Sequence, residues 1–377
     1  MHFGQRRLTF SFQALLRSTF MKILVLGGTG FLGPHEIDQF EDRDWEITIF
    51  NRGRSKTDLF DSDFAKVTRL TGDRDPDQGD GLAAIEEAIK SGTTWDAVVD
   101  NSAYVPRIAK ASAELLKDAT RQYVFISTIS VYAENDTAGA DESSPVGTMD
   151  DPTDENVGAY YGQLKALCEQ EVQRVFDDRA TIIRPGLIVG PGDKTDRFTY
   201  WPVRCRRGGE VLVPAENPRT QFIDVRDLAG FITTCVEQGH GGVYNATGPE
   251  GPLYFREMVD GCKAVVSNPV EFVPVPESFL QANEVGPWMG PDTMAMWIPL
   301  VPEMAGFGQR SNQAAIEHGC TFRPLANTAK ATLDWFLASN RKDEALGQRA
   351  GLSPAREKEL IAKWRKETTR DETAKDA

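Results

Sequence analysis

Hydrophobic and polar positions fall into a repeating order along most of this chain: a short apolar run, then a segment of helical spacing, then another apolar run. Ile23, Leu24, Val25 and Leu26 make the first run, uninterrupted in the way a parallel strand buried on both faces requires. A turn containing Gly27, Gly28, Gly30 and Gly33 follows, and His35–Phe40 reads as a helix. Glu46–Phe50 and Lys66–Leu70 read as the second and third strands, Leu82–Lys90 as a helix, and Trp95–Asp100 as the fourth strand. Arg107–Ala119 is expected to be helical with Ile108, Ala111, Leu115 and Leu116 on one side, and Tyr123–Ile126 is the fifth strand. A helix over Ala159–Phe176, a sixth strand from Thr181 into the Gly190-Pro191 turn, a strand-to-helix passage from Gln221 to Leu228 and a last strand at Gly242–Asn245 complete the pattern. Strand and helix alternate without an internal repeat, so the expected fold class is α/β, a doubly wound parallel sheet covered on both faces.

Elsewhere the pattern weakens. Glu134–Asn156 is acidic and rich in Gly, Pro and Ser, and reads as a long loop of the kind that serves as a lid. Between Gly251 and Leu337, prolines including Pro269, Pro274, Pro276, Pro287, Pro291, Pro299 and Pro302 stand among apolar residues, an irregular texture expected of a small lobe. Trp201, Trp288 and Trp297 suit either a core or a stacking platform. Pro354–Lys375 is rich in Lys, Arg and Glu, with Leu360, Ile361 and Trp364 as a thin apolar face, and is expected to be a solvated helix with a frayed end. At the other terminus, Arg6-Arg7 precedes Phe10, Phe12, Leu15 and Leu16, yet Gln13 and Arg17 break the run. Extending it would consume Lys22–Leu26, so residues 1–20 read as a disordered extension rather than a signal.

Composition narrows the function. The 377 residues are 40% apolar and 26% charged, with a net charge of -14, which sets nucleic acid and anionic membranes aside as partners because both would repel the chain. Five cysteines without a C-x-x-C pair and four scattered histidines suggest reduced thiols, a cytoplasmic location and no metal site. No stretch approaches the roughly 18 apolar residues of a membrane span.

The candidate chemistry begins at the glycine turn. Strand, tight turn and helix N-terminus in that order present free amides and a helix dipole to a pyrophosphate, while glycine removes the Cβ that would hold the phosphate away. The second strand ends in Asn51-Arg52-Gly53-Arg54. A carboxylate there would accept from the adenosine ribose of NAD; arginine suits the extra phosphate of NADP, so NADP is favoured over NAD, unless Arg52 and Arg54 are simply solvated loop residues. Tyr161 and Lys165 lie four apart and therefore on one helical face. A lysine one turn away favours the phenolate of a tyrosine that otherwise titrates near pH 10, and a hydroxyl from Thr128 or Ser127 could steady the proton transfer. That combination fits hydride transfer at a hydroxyl or carbonyl carbon. Without the upstream turn, Tyr-x-x-x-Lys would be ordinary helix decoration.

These residues resemble the extended branch of the short-chain dehydrogenase/reductase superfamily, the NAD(P)-dependent epimerase/dehydratase family. The resemblance spans Met21 to about Gly248. It rests on Gly27-Gly28-Thr29-Gly30-Phe31-Leu32-Gly33, Gly72-Asp73, Ser127-Thr128 with Val131-Tyr132, Tyr161-x-x-x-Lys165, Arg184-Pro185 with Gly190-Pro191, and Phe222-Ile223-Asp224-Val225-Arg226-Asp227. It implies a Rossmann domain over 21–190 with about 221–248, a substrate-binding lobe from 191–220 and 249–338, and a charged helical tail over 339–377. It also implies an enzyme, a sugar-like or other hydroxyl/carbonyl small molecule as substrate, and a homodimer formed through the helices of Arg107–Ala119 and Tyr161–Phe176. Tyr161 is then the acid/base, Lys165 lowers its pKa and binds the nicotinamide ribose, and Thr128 is the third catalytic member. The implied cofactor contacts are the whole Gly27–Gly33 turn, Asn51, Arg52, Asp73 beside the adenine, Arg74, Ala103, Ser127, Lys165 and Pro185. The arginine that contacts the diphosphate in nucleotide-sugar members is here Thr220, with Arg219 one residue away. The alternative is a non-catalytic NAD(P)-binding regulator or scaffold, including an RNA-binding offshoot; the acidity counts against RNA, and the intact Thr128, Tyr161 and Lys165 count against loss of chemistry.

Overall fold

The computed structural model describes residues 20–54 and 67–375. The expected N-terminal extension lies outside the described residues except for its last residue, Phe20. The first strand, β1 (Lys22–Leu26), is followed by α1 (Gly33–Glu41), β2 (Glu46–Asn51), β3 (Thr68–Thr71), α2 (Ala83–Lys90), β4 (Trp95–Asp100), α3 (Pro106–Leu116) and β5 (Thr120–Ile126). Then come α4 (Val157–Phe176), β6 (Ala180–Pro185), β7 (Leu187–Val189), α5 (Tyr200–Arg207), β8 (Gly209–Pro214), β9 (Phe222–Asp224), α6 (Val225–Gln238) and β10 (Gly242–Ala246).

Seven strands form one sheet in the order β10-β6-β5-β4-β1-β2-β3, every adjacent pair parallel. In β1 all four apolar residues are fully buried, because alternate side chains enter different cores. Ile23 and Val25 pack with Ile37 and Phe40 of α1 and Phe231 and Ile232 of α6; Leu24 and Leu26 pack with Ile85 of α2, Ala109 of α3 and Cys168 and Val172 of α4. The chain leaves β1 toward β3 on one side and resumes at β4 on the other. That reversal opens a crevice at the carboxyl ends of β1 and β4, where ligands bind in open α/β sheets.

The helix expected over Arg107–Ala119 stops at Leu116, since Thr120 already opens β5 and the Ala119 carbonyl accepts from Trp95 N. The expected sixth strand is two: β6 stays in the sheet beside β10, and the chain turns at Gly186 so that β7 pairs with β9 instead.

The remainder is more regular than its prolines suggest. It contains α7 (Phe255–Lys263), β11 (Val270–Val275), α8 (Glu277–Ala282), β12 (Gly286–Trp288), β13 (Gly290–Pro291), β14 (Thr293–Ala295), α9 (Gln313–Glu317), α10 (Leu325–Ala338), β15 (Ala350–Gly351) and α11 (Pro354–Lys375). Trp201, Phe255, Met258, Trp297 and Phe336 form a separate core there. Helix α11 is not a solvated tail: Leu360 and Ile361 are buried in that core, and Glu357 is buried against Arg204 of α5. The long loop after β5 is a loop but a fastened one. Gly139 N donates to Gln309 O, Ser311 N to Ala140 O, and Gly306 N to Asn135 O. No helix among the described residues is long and apolar enough to cross a membrane.

Candidate active site

The crevice at the sheet reversal widens into a cavity of about 680 Å³. The glycine turn forms one end: Gly27, Gly28, Gly30, Phe31, Leu32 and Gly33 all line it. Gly33 must be glycine because a Cβ there would lie 2.4 Å from the Gly28 backbone, so the turn closes only without one. The amides of Gly30, Phe31 and Leu32 donate to no backbone carbonyl among the described residues, which leaves donors at the start of α1 for an anion. Asn51 ties this turn to the end of β2, donating to Gly27 O at 3.1 Å and accepting from Gly53 N at 2.8 Å. Arg52 and Arg54 are exposed beyond it.

At the other end Thr128, Tyr161 and Lys165 meet. Thr128 follows β5, and Tyr161 and Lys165 stand on α4, whose backbone is irregular at Tyr160 (φ -125°, ψ 31°). Gly162 brings the helix against the Thr128 turn; a Cβ there would sit 2.0 Å from Ser130 O. The Thr128 hydroxyl accepts from Ser130 N at 3.1 Å and lies near enough to the Tyr161 phenol to act on its proton. Burial raises the Tyr161 pKa above its ordinary value, with the Thr128 hydroxyl and the positive charge of Arg197 pulling the other way. Lys165 lies deeper. Its ammonium donates to Ala103 O at 2.9 Å and Ile126 O at 2.7 Å and sits 4.0 Å from the Phe125 ring centre, and burial draws its pKa down to about 8.

Two buried ionic networks support this end. Glu169 on α4 accepts from Ser127 Oγ and from Arg184 Nη2 at 2.6 Å, and Arg184 Nη1 donates to Tyr132 Oη at 3.0 Å. Tyr132 Oη donates to Asn245 Oδ1 at 2.7 Å. In the second network Asp100 accepts from Arg74 at 2.6 and 2.9 Å and from Tyr123 at 2.7 Å. Burial pushes the Asp100 carboxyl up, but Arg74 outweighs it and holds the carboxyl below its ordinary range.

The sequence-derived residues therefore divide. Ser127 and Pro185 line the cavity with the glycine turn and the Thr128, Tyr161, Lys165 group. Thr29, Asn51, Arg52, Asp73, Arg74 and Ala103 are not among the lining side chains. Arg74 is spent on Asp100, Ser102 and Ser112, and Ala103 presents its carbonyl to Lys165. Asn101, Ser102, Tyr104, Asn135, Arg197 and Gln221 line the cavity without having been singled out; they come from loops whose composition does not reveal which way a side chain faces. Of the three tryptophans, Trp201 and Trp297 are core and Trp288 lines the cavity beside Phe307. Thr220 is buried, and Arg219 lies over the Tyr254 ring at 4.4 Å.

One residue under the glycine turn is out of keeping with its surroundings. Glu36 in the first turn of α1 is fully buried and accepts from Asn101 Nδ2, while its Oε1 and Asn101 Oδ1 have no partner among the described residues. Burial lifts its pKa from 4.5 to about 8, the Asn101 hydrogen bond opposing. The native state keeps this proton to higher pH than the unfolded chain does, so its contribution is fully present below about 4.5 and is lost as pH rises toward 8. Glu36→Gln does not titrate, so its stability advantage over wild type should widen through that window, by at most about 1.4 kcal/mol per pH unit. Thermal unfolding at pH 5 and pH 8 checks this; an equal difference at both would contradict it.

Comparison with known proteins gives a consistent set. Residues 23–247 match the model of the NAD dependent epimerase/dehydratase family. The epimerase family protein SDR39U1 of Bos taurus is 24% identical over 272 residues, covering 70% of this chain and 86% of that protein. A 2-alkyl-3-oxoalkanoate reductase of Stenotrophomonas maltophilia is 30% identical over 273 residues, covering 66% of this chain and 77% of that one. The crystal structure of human SDR39U1 (isoform 2) with NADPH superposes with a TM-score of 0.54 at 19% identity, covering 83% of this chain and 99% of that one.

Proposed function

Because this chain belongs to the NAD dependent epimerase/dehydratase family, we propose that it is an NAD(P)-dependent oxidoreductase of the extended short-chain type, acting at a hydroxyl or carbonyl carbon of a small molecule through Thr128, Tyr161 and Lys165. The observation that carries the reading is one cavity with the open glycine turn at one end and the three side chains at the other. The turn fits a dinucleotide: its donors are unspent, and a Cβ at Gly30 would meet nothing within 4 Å, so the space beside it is open to a phosphate. A nicotinamide dinucleotide bound there supplies or accepts the hydride.

The chain's own residues handle the proton. Tyr161 gives its phenolic proton to the substrate oxygen during reduction and takes it back during oxidation. Thr128 donates to the same oxygen and fixes its position. Lys165, held beneath by two carbonyls, places a positive charge near the proton-transfer site and favours the phenolate once the site is filled. The reductase and epimerase names borne by the relatives belong to this chemistry. The net reaction is read most directly by mass spectrometry of small molecules that copurify, followed by NADPH oxidation at 340 nm with the carbonyl partner so found; absence of any NADPH-dependent turnover of that compound would overturn the reading.

We assign Arg52, exposed at the end of β2, to the extra phosphate of NADP. Arg52→Ala should weaken NADPH binding about tenfold and leave NADH binding unchanged, a loss in keeping with one charge-assisted contact. Fluorescence titration with both reduced cofactors separates the cases, and an equal effect on NADH would remove the assignment.

A further inference from the structure

Three charged side chains line the cavity: Lys165, Asp193 and Arg197. Lys165 is spent on the carbonyls of Ala103 and Ile126. Asp193 is buried and spent on Thr195, accepting from its amide at 2.8 Å and its hydroxyl at 3.0 Å. Arg197 differs. Its Nε donates to Thr195 Oγ1 at 3.2 Å, which fixes the plane of the guanidinium, but its terminal nitrogens make no hydrogen bond or ion pair among the described residues.

A half-buried guanidinium that feels the Asp193 carboxylate only through space, with no direct contact, has lost hydration and gained little in return. Burial accordingly lowers the basicity of Arg197, and its charge is felt at Tyr161. The cation nevertheless has a platform. It lies 5.1 Å from the Trp288 ring centre, and Trp288 is braced edge-on by Phe307 at 5.1 Å. Trp288 takes this place with φ at +69°, a left-handed conformation that is unfavourable for a bulky side chain and tends to collect at ligand sites. The result is a planar fork of donors, held by Thr195 and backed by an aromatic face, at the substrate end of the cavity. That is the shape suited to bidentate capture of an acidic group.

We propose that Arg197, backed by Trp288, is the anion-recognising element of this site and that the substrate is an acidic hydroxyl or carbonyl compound. Its carboxylate or phosphate lies on the Arg197 fork while its reacting carbon lies at Tyr161. The proposal rests on the oxidoreductase reading and adds the class of substrate to it.

The test uses the full-length protein saturated with NADPH and calorimetric titration of benzoate, phenyl phosphate and the neutral benzamide. At least one acid should bind about tenfold or more tightly than benzamide, as a charge-assisted pair of hydrogen bonds implies, and the stronger of the two identifies carboxylate or phosphate. Arg197→Gln should bring that acid to the level of benzamide with NADPH affinity unchanged, and Arg197→Lys should restore part of the preference. Equal or undetectable binding of acids and benzamide, or an acid preference that survives Arg197→Gln, overturns the inference alone. Failure of the wild-type protein to bind NADPH overturns the oxidoreductase reading and the inference with it.

Discussion

Tyr161→Phe lowers kcat by roughly 10²–10⁴-fold, the usual contribution of a positioned general acid, while NADPH affinity stays within about twofold. The expectation follows from the separation of roles along the cavity. The glycine turn and the phenol lie at opposite ends, and the groups that act on the Tyr161 hydroxyl are Thr128, Tyr104 and Arg197 rather than any residue of the turn. Removing one oxygen leaves the ring, its contact with Tyr104 at 6.3 Å between centres, and the packing of α4 in place. Binding and chemistry should therefore part company. Steady-state kinetics beside a fluorescence titration of NADPH show whether they do, and a variant that turns over like wild type would remove Tyr161 from the mechanism.

Arg184→Leu has the largest expected effect on stability, about 3–5 kcal/mol, because it strands Glu169 as a buried charge. Both side chains of the pair are almost wholly inaccessible, at 6% and 4% exposure. The same substitution removes the Tyr132 contact and leaves Ser127, the neighbour of Thr128, bonded to a carboxylate that has lost its counter-ion, so the floor under the Thr128 turn loosens together with the fold. Pairing it with Glu169→Leu removes the stranded charge and should recover part of the loss, since apolar replacement of a whole buried pair is often near neutral. Urea unfolding of the two variants measures this. A single variant that loses less than about 1 kcal/mol, the range of exposed pairs, would show that Glu169 is relieved in some other way.

The glycine-turn end of the candidate site was legible in the sequence because its signature is local. Four consecutive apolar residues buried on alternate faces, a run of glycines and a helix start need no knowledge of distant contacts. Tyr161 and Lys165 were legible for a similar reason, as helical spacing alone puts them on one face. Arg74 shows where such reading stops. It follows Gly72-Asp73 and was placed toward the cofactor, but its guanidinium goes to Asp100, a carboxylate at the end of another strand that no local pattern connects to it. Trp288 and Trp297 stand nine positions apart in the same lobe and differ in fate through backbone geometry. Helix α5 was hidden by Tyr200, Trp201 and Pro202, although a proline in the first turn loses no hydrogen bond that the helix needs. Arg197 was passed over because an arginine in a loop is ordinarily solvated, and only the fold reveals that its neighbours leave it unpaired.

The central claim, that the glycine turn holds one end of a dinucleotide whose other end reaches Tyr161, is tested most directly by titrating NADPH into the wild-type protein and into Gly30→Asp. A side chain at Gly30 meets no protein atom within 4 Å at its Cβ, so the variant should fold normally while placing a carboxylate where a phosphate should lie. The account predicts saturable binding of one NADPH per chain to wild type, and at least about a tenfold weaker affinity in Gly30→Asp at an unchanged melting temperature. No binding to wild type, or equal binding to both proteins, would contradict it.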